Sequence, residues 1–271
     1  MLGRWAERQP DKKAIHMART SISYGELTQR ISQLLQLLQK YHCSQGDYIL
    51  LFMPNCIDYV VSLLAAIKIG AHVIPVHAMC RAKELQQLTR TMSPKLCLVA
   101  DASLYSVLHS VDDALRIIDL SRCDLEKEMF LTNAFSQADY SSSAKLFLST
   151  SGSTGKLKFV ANTFENEAVN ALLYIKRLGV TSSDVIYTAL PMSQKFGLAT
   201  LLGSLFAGCT LIASAQFSAT ETLAQISKHG VTVQYGVPTI YIKEKEAYLN
   251  AVEKPDISTL RTGIIAGASS A

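Results

Sequence analysis

Apolar residues along the chain fall into two alternating patterns, one with helical spacing and one with the continuity of a buried strand. Leu27, Ile31, Leu34, Leu35 and Leu38 recur at helical intervals behind Ser23-Tyr24-Gly25-Glu26, which has the form of a capping box. Tyr48–Phe52 is an unbroken apolar run between Gly46-Asp47 and Pro54-Asn55, which predicts a buried strand. The pair then repeats. A helix over 57–69 is stopped by Gly70, a strand covers His72–Val76, and a more polar helix over 81–92 precedes a strand over 96–100.

Past Asp119 the pattern loosens. Residues 121–143, with three consecutive serines at the end, form the candidate linker. The alternation then resumes with a strand over 145–149, a helix over 164–178 closed by Gly179, and a strand over 185–189. An apolar helix spans 198–206, and a second capping box, Ser218-Ala219-Thr220-Glu221, opens a helix that Gly230 ends before a strand over 231–235. Such alternation predicts an α/β fold with largely parallel sheets flanked by helices and right-handed crossovers. The expected division is an N-terminal α/β subdomain over 1–143 and a second over 144–271. No internal repeat is visible in the sequence.

Composition narrows the classes. The 271 residues are 49% apolar and 18% charged, which excludes a disordered chain and suffices for a sizeable core. Lys and Arg total 26 against 22 Asp and Glu, and the net charge of +4 is spread thinly. The densest cluster, Lys243-Glu244-Lys245-Glu246, alternates in sign and reads as a solvated helix face, so no nucleic-acid partner is expected. Six cysteines stand far apart without the spacing of a zinc or redox motif, and Cys97 and Cys209 lie in apolar runs as reduced core residues would. His72 and His77 read as structural, with no acidic neighbour to complete a zinc set, so no resident metal is expected. Arg4, Glu7 and Arg8 stand where a signal peptide needs an apolar core. The longest apolar stretch, 59–76, is interrupted by Lys68, Gly70, His72 and Pro75, which predicts no transmembrane segment and a cytoplasmic location. Trp5 with Leu2 reads as an apolar anchor for the N-terminus.

One segment carries chemistry. Thr150-Ser151-Gly152-Ser153-Thr154-Gly155-Lys156-Leu157-Lys158 follows an apolar strand and is expected to precede a helix, at the carboxyl end of a strand where open α/β sheets bind ligands. Its two glycines allow backbone N–H groups to converge on an anion, its hydroxyls add donors, and Lys158 supplies positive charge. The glycine spacing and Leu157 exclude the common NTPase loop, and the dinucleotide fingerprint does not fit. On these residues alone, a solvated Ser/Gly turn remains the rival.

The run Ser-Thr-Ser-Gly-Ser-Thr-Gly-x-x-Lys resembles the phosphate loop of the AMP-forming adenylating enzymes, and the resemblance spans nearly the whole chain. Ser23 to Leu27, Met53-Pro54-Asn55-Cys56, Leu190-Pro191-Met192, Ala207-Gly208-Cys209-Thr210 and Leu260-Arg261-Thr262-Gly263 take part in it. Tyr235-Gly236-Val237-Pro238-Thr239 and Ala266-Gly267-Ala268 look most like the acyl-CoA synthetase branch. The resemblance implies the large N-terminal domain of an enzyme that joins a fatty or aryl carboxylic acid to ATP, releases pyrophosphate, and passes the acyl group to CoA. It implies that Thr150, Ser151, Gly152, Ser153, Thr154, Gly155 and Lys158 hold the ATP phosphates, with Mg²⁺ neutralising them. Gly267 and Ala268 would line the adenine pocket, and Gln194, Phe196, Gly197, Tyr235, Gly236 and Pro238 the acyl pocket.

The chain also departs from that family. Leu157 and Phe159 flank the loop lysine where the family has Pro and Gly, and Ser193-Gln194 replaces an aromatic-His pair. The 271 residues contain no Thr-Glu magnesium segment, no ribose-binding Asp and no C-terminal domain with its adenylation lysine, so the chain alone is expected not to turn over. The alternative from another class is a non-catalytic remnant or binding module that retains part of the nucleotide site. A homo-oligomer, or a complementary chain supplying the missing region, would be the protein partner.

Overall fold

The computed structural model describes residues 2–17, 20–123, 125, 144–150 and 158–267. Its order is α1 (Leu2–Arg8), β1 (Lys13–Met17), β2 (Thr20–Ser23), α2 (Tyr24–Lys40), β3 (Tyr48–Phe52), α3 (Ile57–Lys68), β4 (His72–Val76), α4 (Ala82–Met92), β5 (Leu96–Val99), α5 (Ala102–Val111) and β6 (Ile117–Asp119). There follow β7 (Lys145–Thr150), β8 (Lys158–Thr163), α6 (Phe164–Arg177), β9 (Val185–Thr188), α7 (Lys195–Ala207), β10 (Thr210–Ala213), α8 (Ala219–His229), β11 (Val233–Gly236), α9 (Pro238–Asn250) and β12 (Thr262–Ile265).

Two six-stranded sheets result, each with four parallel pairs and one antiparallel edge. The first runs β12-β11-β9-β10-β1-β2 and the second β6-β5-β3-β4-β7-β8. The chain divides into two compact units, 26–167 and 1–25 with 168–271. The expected boundary at 143/144 therefore does not hold as drawn. β7 pairs with β4 across Val73 and Leu146, which keeps 145–163 with the earlier strands, while β1 pairs with β10 and carries the N-terminus to the later ones.

The topology repeats where the sequence does not. In each unit the first strand (β3 or β9) is flanked by its second and third partners, the fourth lies outside the third, and a parallel strand with an antiparallel companion closes the other edge. Strand order therefore reverses between β3 and β5, and again between β9 and β11. Such switch points open crevices at strand carboxyl ends.

Burial explains the elements. In the 26–167 unit, Leu50, Phe52, Ile74, Val76, Cys97 and Val99 present alternate positions of three strands to Leu85 and Leu88 of α4 and Leu104 and Leu108 of α5. Cys97 and Cys209 are buried and free, and burial pushes each thiol up to about 12. Cys56 caps α3, its sulfur accepting from the Tyr59 N–H at 3.3 Å. His72 meets Tyr48 edge-on and Phe147 at a tilt, and the His77 ring nitrogen accepts from the Met79 N–H at 3.2 Å.

In the other unit the N-terminal anchor is built as expected. The Trp5 Nε1 donates to the Phe206 carbonyl at 3.1 Å, and its ring lies against Gly208, which ends α7 in the left-handed conformation (φ 74°). Tyr24, buried, donates to the Cys209 carbonyl at 2.8 Å. Asp184 accepts from Thr181 N–H at 2.8 Å, Thr232 Oγ1 at 2.7 Å and Arg261 through Nε (2.9 Å) and Nη2 (2.8 Å), joining the starts of β9, β11 and β12. Arg261 also donates to the Leu178 and Gly179 carbonyls at the end of α6.

The charged cluster at 243–246 is not wholly solvated. Ile240 and Glu244, four residues apart, form the buried face of α9, and Gln234 donates to both Glu244 oxygens at 2.8 and 2.9 Å. Alternating sign along the sequence concealed that one of these carboxylates points inward.

Candidate functional site

The described site residues of the 168–271 segment follow or end the strands β9, β11 and β12, which are neighbours in one sheet. β9 ends at Thr188, a buried residue whose Oγ1 accepts from the Leu190 N–H at 3.1 Å and so shapes the turn into Pro191. The Gln194 N–H then donates to the Pro191 carbonyl at 3.0 Å, and Gln194 takes the N-cap position of α7. Its side chain makes no capping bond and is exposed.

Phe196 and Gly197 occupy the first turn of α7. A Cβ on Gly197 would overlap the Pro191 carbonyl, so only glycine allows the helix to start this close to the turn. Phe196 leans on Tyr235 of β11, ring centroids 5.8 Å apart at 51°, and on Tyr174 of α6 at 6.4 Å. Tyr235 is buried, and burial pushes its phenol well above the usual tyrosine range.

The next strand supplies the other wall. Gly236 ends β11, and a Cβ there would come within 2.9 Å of the Tyr241 ring. Pro238 opens α9, where its missing N–H costs nothing. Tyr241 from the same helix donates to the carbonyls of Gln234 (3.0 Å) and Ile264 (3.2 Å), fixing α9 over β11 and β12. Gly267 follows β12 with φ 91°, turning the backbone beside Val237. Ala268 lies outside the described residues. Gln194, Phe196, Gly197, Tyr235, Gly236, Pro238 and Gly267 thus come from three consecutive strand ends of one sheet. Thr188, Tyr241 and the Gln234–Glu244 pair carried no sequence signal beyond their element.

The phosphate-loop residues belong to the other unit. Ser151, Gly152, Ser153, Thr154 and Gly155 lie outside the described residues. The strands that bracket them correct one expectation: the segment precedes a strand, β8, rather than a helix. Thr150 and Lys158 face each other in the antiparallel ladder of β7 and β8, and α6 begins only at Phe164. β8 is largely exposed and lacks apolar alternation, so the sequence pattern did not reveal it. Phe159, the departure from the family glycine, packs against the unit's core and borders a cavity of about 60 Å³ with Gln87, Leu88, Thr91 and Met92 of α4.

Among the described residues no group of three His, Cys, Asp or Glu is placed to hold a metal ion, and no helix is long and apolar enough to cross a membrane. None of the residues gathered at the β9–β11 crevice is a carboxylate, so they do not fit Mg²⁺ as ligands.

The strand order of both sheets defines a doubly wound α/β protein. The chain belongs to the AMP-binding enzyme family, whose pattern matches residues 2–271. It is 28% identical over 297 residues to acetyl-coenzyme A synthetase 1 of Candida albicans, covering 95% of this chain and 44% of that protein. It is also 28% identical over 240 residues to 2-succinylbenzoate–CoA ligase of Bacillus velezensis, covering 87% of this chain and 47% of that one. The chain spans about half the length of the curated relatives it matches, in their N-terminal part. The solved N-terminal domain of FACL13 from Mycobacterium tuberculosis shares the fold, with a TM-score of 0.86 over 98% of this chain and 69% of that one at 22% identity.

Proposed function

We propose that this chain is the N-terminal part of an ATP-dependent acid–CoA ligase that activates a fatty or aryl carboxylic acid as its adenylate and passes the acyl group to a thiol such as CoA. What supports the reading is membership of this family over residues 2–271, together with the contact of Phe196 after β9 with Tyr235 on the adjacent strand β11.

The substrate carboxylate attacks the α-phosphorus of ATP. An acyl oxygen–phosphorus bond forms while the bond to pyrophosphate breaks, and the thiol later displaces AMP. Positioning and charge stabilisation dominate such a transfer. Phe196 and Tyr235 form an apolar wall that excludes water from the acyl group, and Gly197 keeps the α7 N-terminus close to it. Gln194 offers a neutral donor where the family has a histidine. The left-handed Gly267 presents backbone to the adenine together with Ala268. Thr150 to Gly155 with Lys158 hold the β- and γ-phosphates, and Mg²⁺ arrives with the nucleotide.

These 271 residues alone bind ATP weakly and do not turn over. Calorimetric titration checks the first statement: tight ATP binding would contradict it. Acid-dependent exchange of pyrophosphate into ATP, in a protein continuing through the Thr-Glu segment and C-terminal domain, checks the activity.

A further inference from the structure

Three polar atoms without a hydrogen-bond partner are buried around one face of α8. They are the Nε2 of His16 on β1, the Nε2 of His229 at the end of α8, and the Oε1 of Gln225. Glu221, Gln225 and His229 recur every four residues and so form one stripe along the helix. The His16 and His229 rings lie 4.6 Å apart at 50°. His16, Glu221 and Gln225 also line a cavity of about 160 Å³ beside Ile212 and Ser214 at the carboxyl end of β10.

The chemistry of these atoms is one-sided. The Gln225 amide donates to Glu221 Oε1 at 2.5 Å, which fixes its orientation and leaves the acceptor oxygen buried. Each neutral imidazole can keep its proton on Nδ1 and present a lone pair at Nε2. Two imidazole nitrogens suit Zn²⁺, Cu²⁺ or Ni²⁺ rather than Mg²⁺ or Ca²⁺, and the amide oxygen is a hard donor that can add a third, weaker bond.

We propose that His16, His229 and Gln225 form a transition-metal site on the β1–α8 face, with water completing the coordination. It is independent of the ligase reading.

The test uses the tag-free chain at pH 7.5 with Zn²⁺ or Cu²⁺ alone. Zn²⁺ at tenfold over its Kd should raise the Tm by roughly 2–3 °C. Bound Cu²⁺ should show electron paramagnetic coupling to two imidazole nitrogens. Both signals should disappear in His229→Gln and in His16→Gln. A Zn²⁺ response of equal size in those variants, or none in the native chain, would overturn the site in favour of bridging water. If the variants fail to fold, the Cu²⁺ spectrum of the native chain decides alone: absence of paired imidazole coupling refutes the proposal.

Discussion

Glu244→Gln tests how a buried carboxyl on α9 sets the pH dependence of stability. Glu244 is 6% exposed and accepts two hydrogen bonds from Gln234. Burial outweighs those bonds and pushes its carboxyl from an ordinary 4.5 up to about 7. The folded value lies above the unfolded one. The contribution to stability is therefore complete below about pH 4.5 and is lost as pH rises through about 7. The gap between 4.5 and about 7 corresponds to ~3 kcal/mol. Glutamine keeps an oxygen for the Gln234 amide and never ionises. In urea unfolding at pH 5 and pH 9, the variant should gain ~2–3 kcal/mol on the native chain over that interval, with the same m-value. Parallel profiles for the two proteins would refute an inward-facing, destabilised carboxylate.

Asp184 behaves oppositely. The Arg261 guanidinium and the Thr181 and Thr232 donors hold its carboxyl well below the usual range, so its stabilisation is present above pH 4 and fades as pH falls. Asp184→Ala should cost roughly 3 kcal/mol at pH 7 by leaving these donors unpaired, and should flatten the acid limb of the unfolding profile. Gly208→Ala should cost about 2–4 kcal/mol, since a methyl would meet the Trp5 ring in a left-handed backbone. Gly230→Ala, at φ 59° with its nearest neighbour 3.9 Å away, should cost only about 1 kcal/mol by the same denaturation assay. Tyr24→Phe should lose about 1 kcal/mol with the Cys209 hydrogen bond.

Much of the fold was legible because its strands are short apolar runs bracketed by Gly and Pro. β3 and β4 begin and end where the pattern predicts, and α8 starts at its serine cap and stops at Gly230. The edges were not legible. β8 has no buried residue and no apolar alternation, and β12 exposes alternate residues. The pairing of β1 with β10 joins Ile15 to Leu211, a register that tertiary packing alone specifies. The repeated topology of the units leaves no trace in residue identity, because many apolar sequences satisfy the same strand order. At the site, residues 191–197 and 235–238 stood out through the family resemblance; the close approach of Gly197 to the Pro191 carbonyl emerged only from the fold. Thr188 and Tyr241 act through hydrogen bonds to backbone atoms that no spacing announces.

The central claim is that the β9–β11 crevice binds the activated acid. The most direct measurement is pyrophosphate exchange into ATP, driven by a panel of fatty and aryl acids, in a protein extending these residues through the Thr-Glu segment and C-terminal domain. Exchange should appear with at least one acid and fall at least tenfold in Gly197→Val, where the added side chain meets the Pro191 carbonyl. No exchange with any acid, or undiminished exchange in Gly197→Val, would contradict the claim.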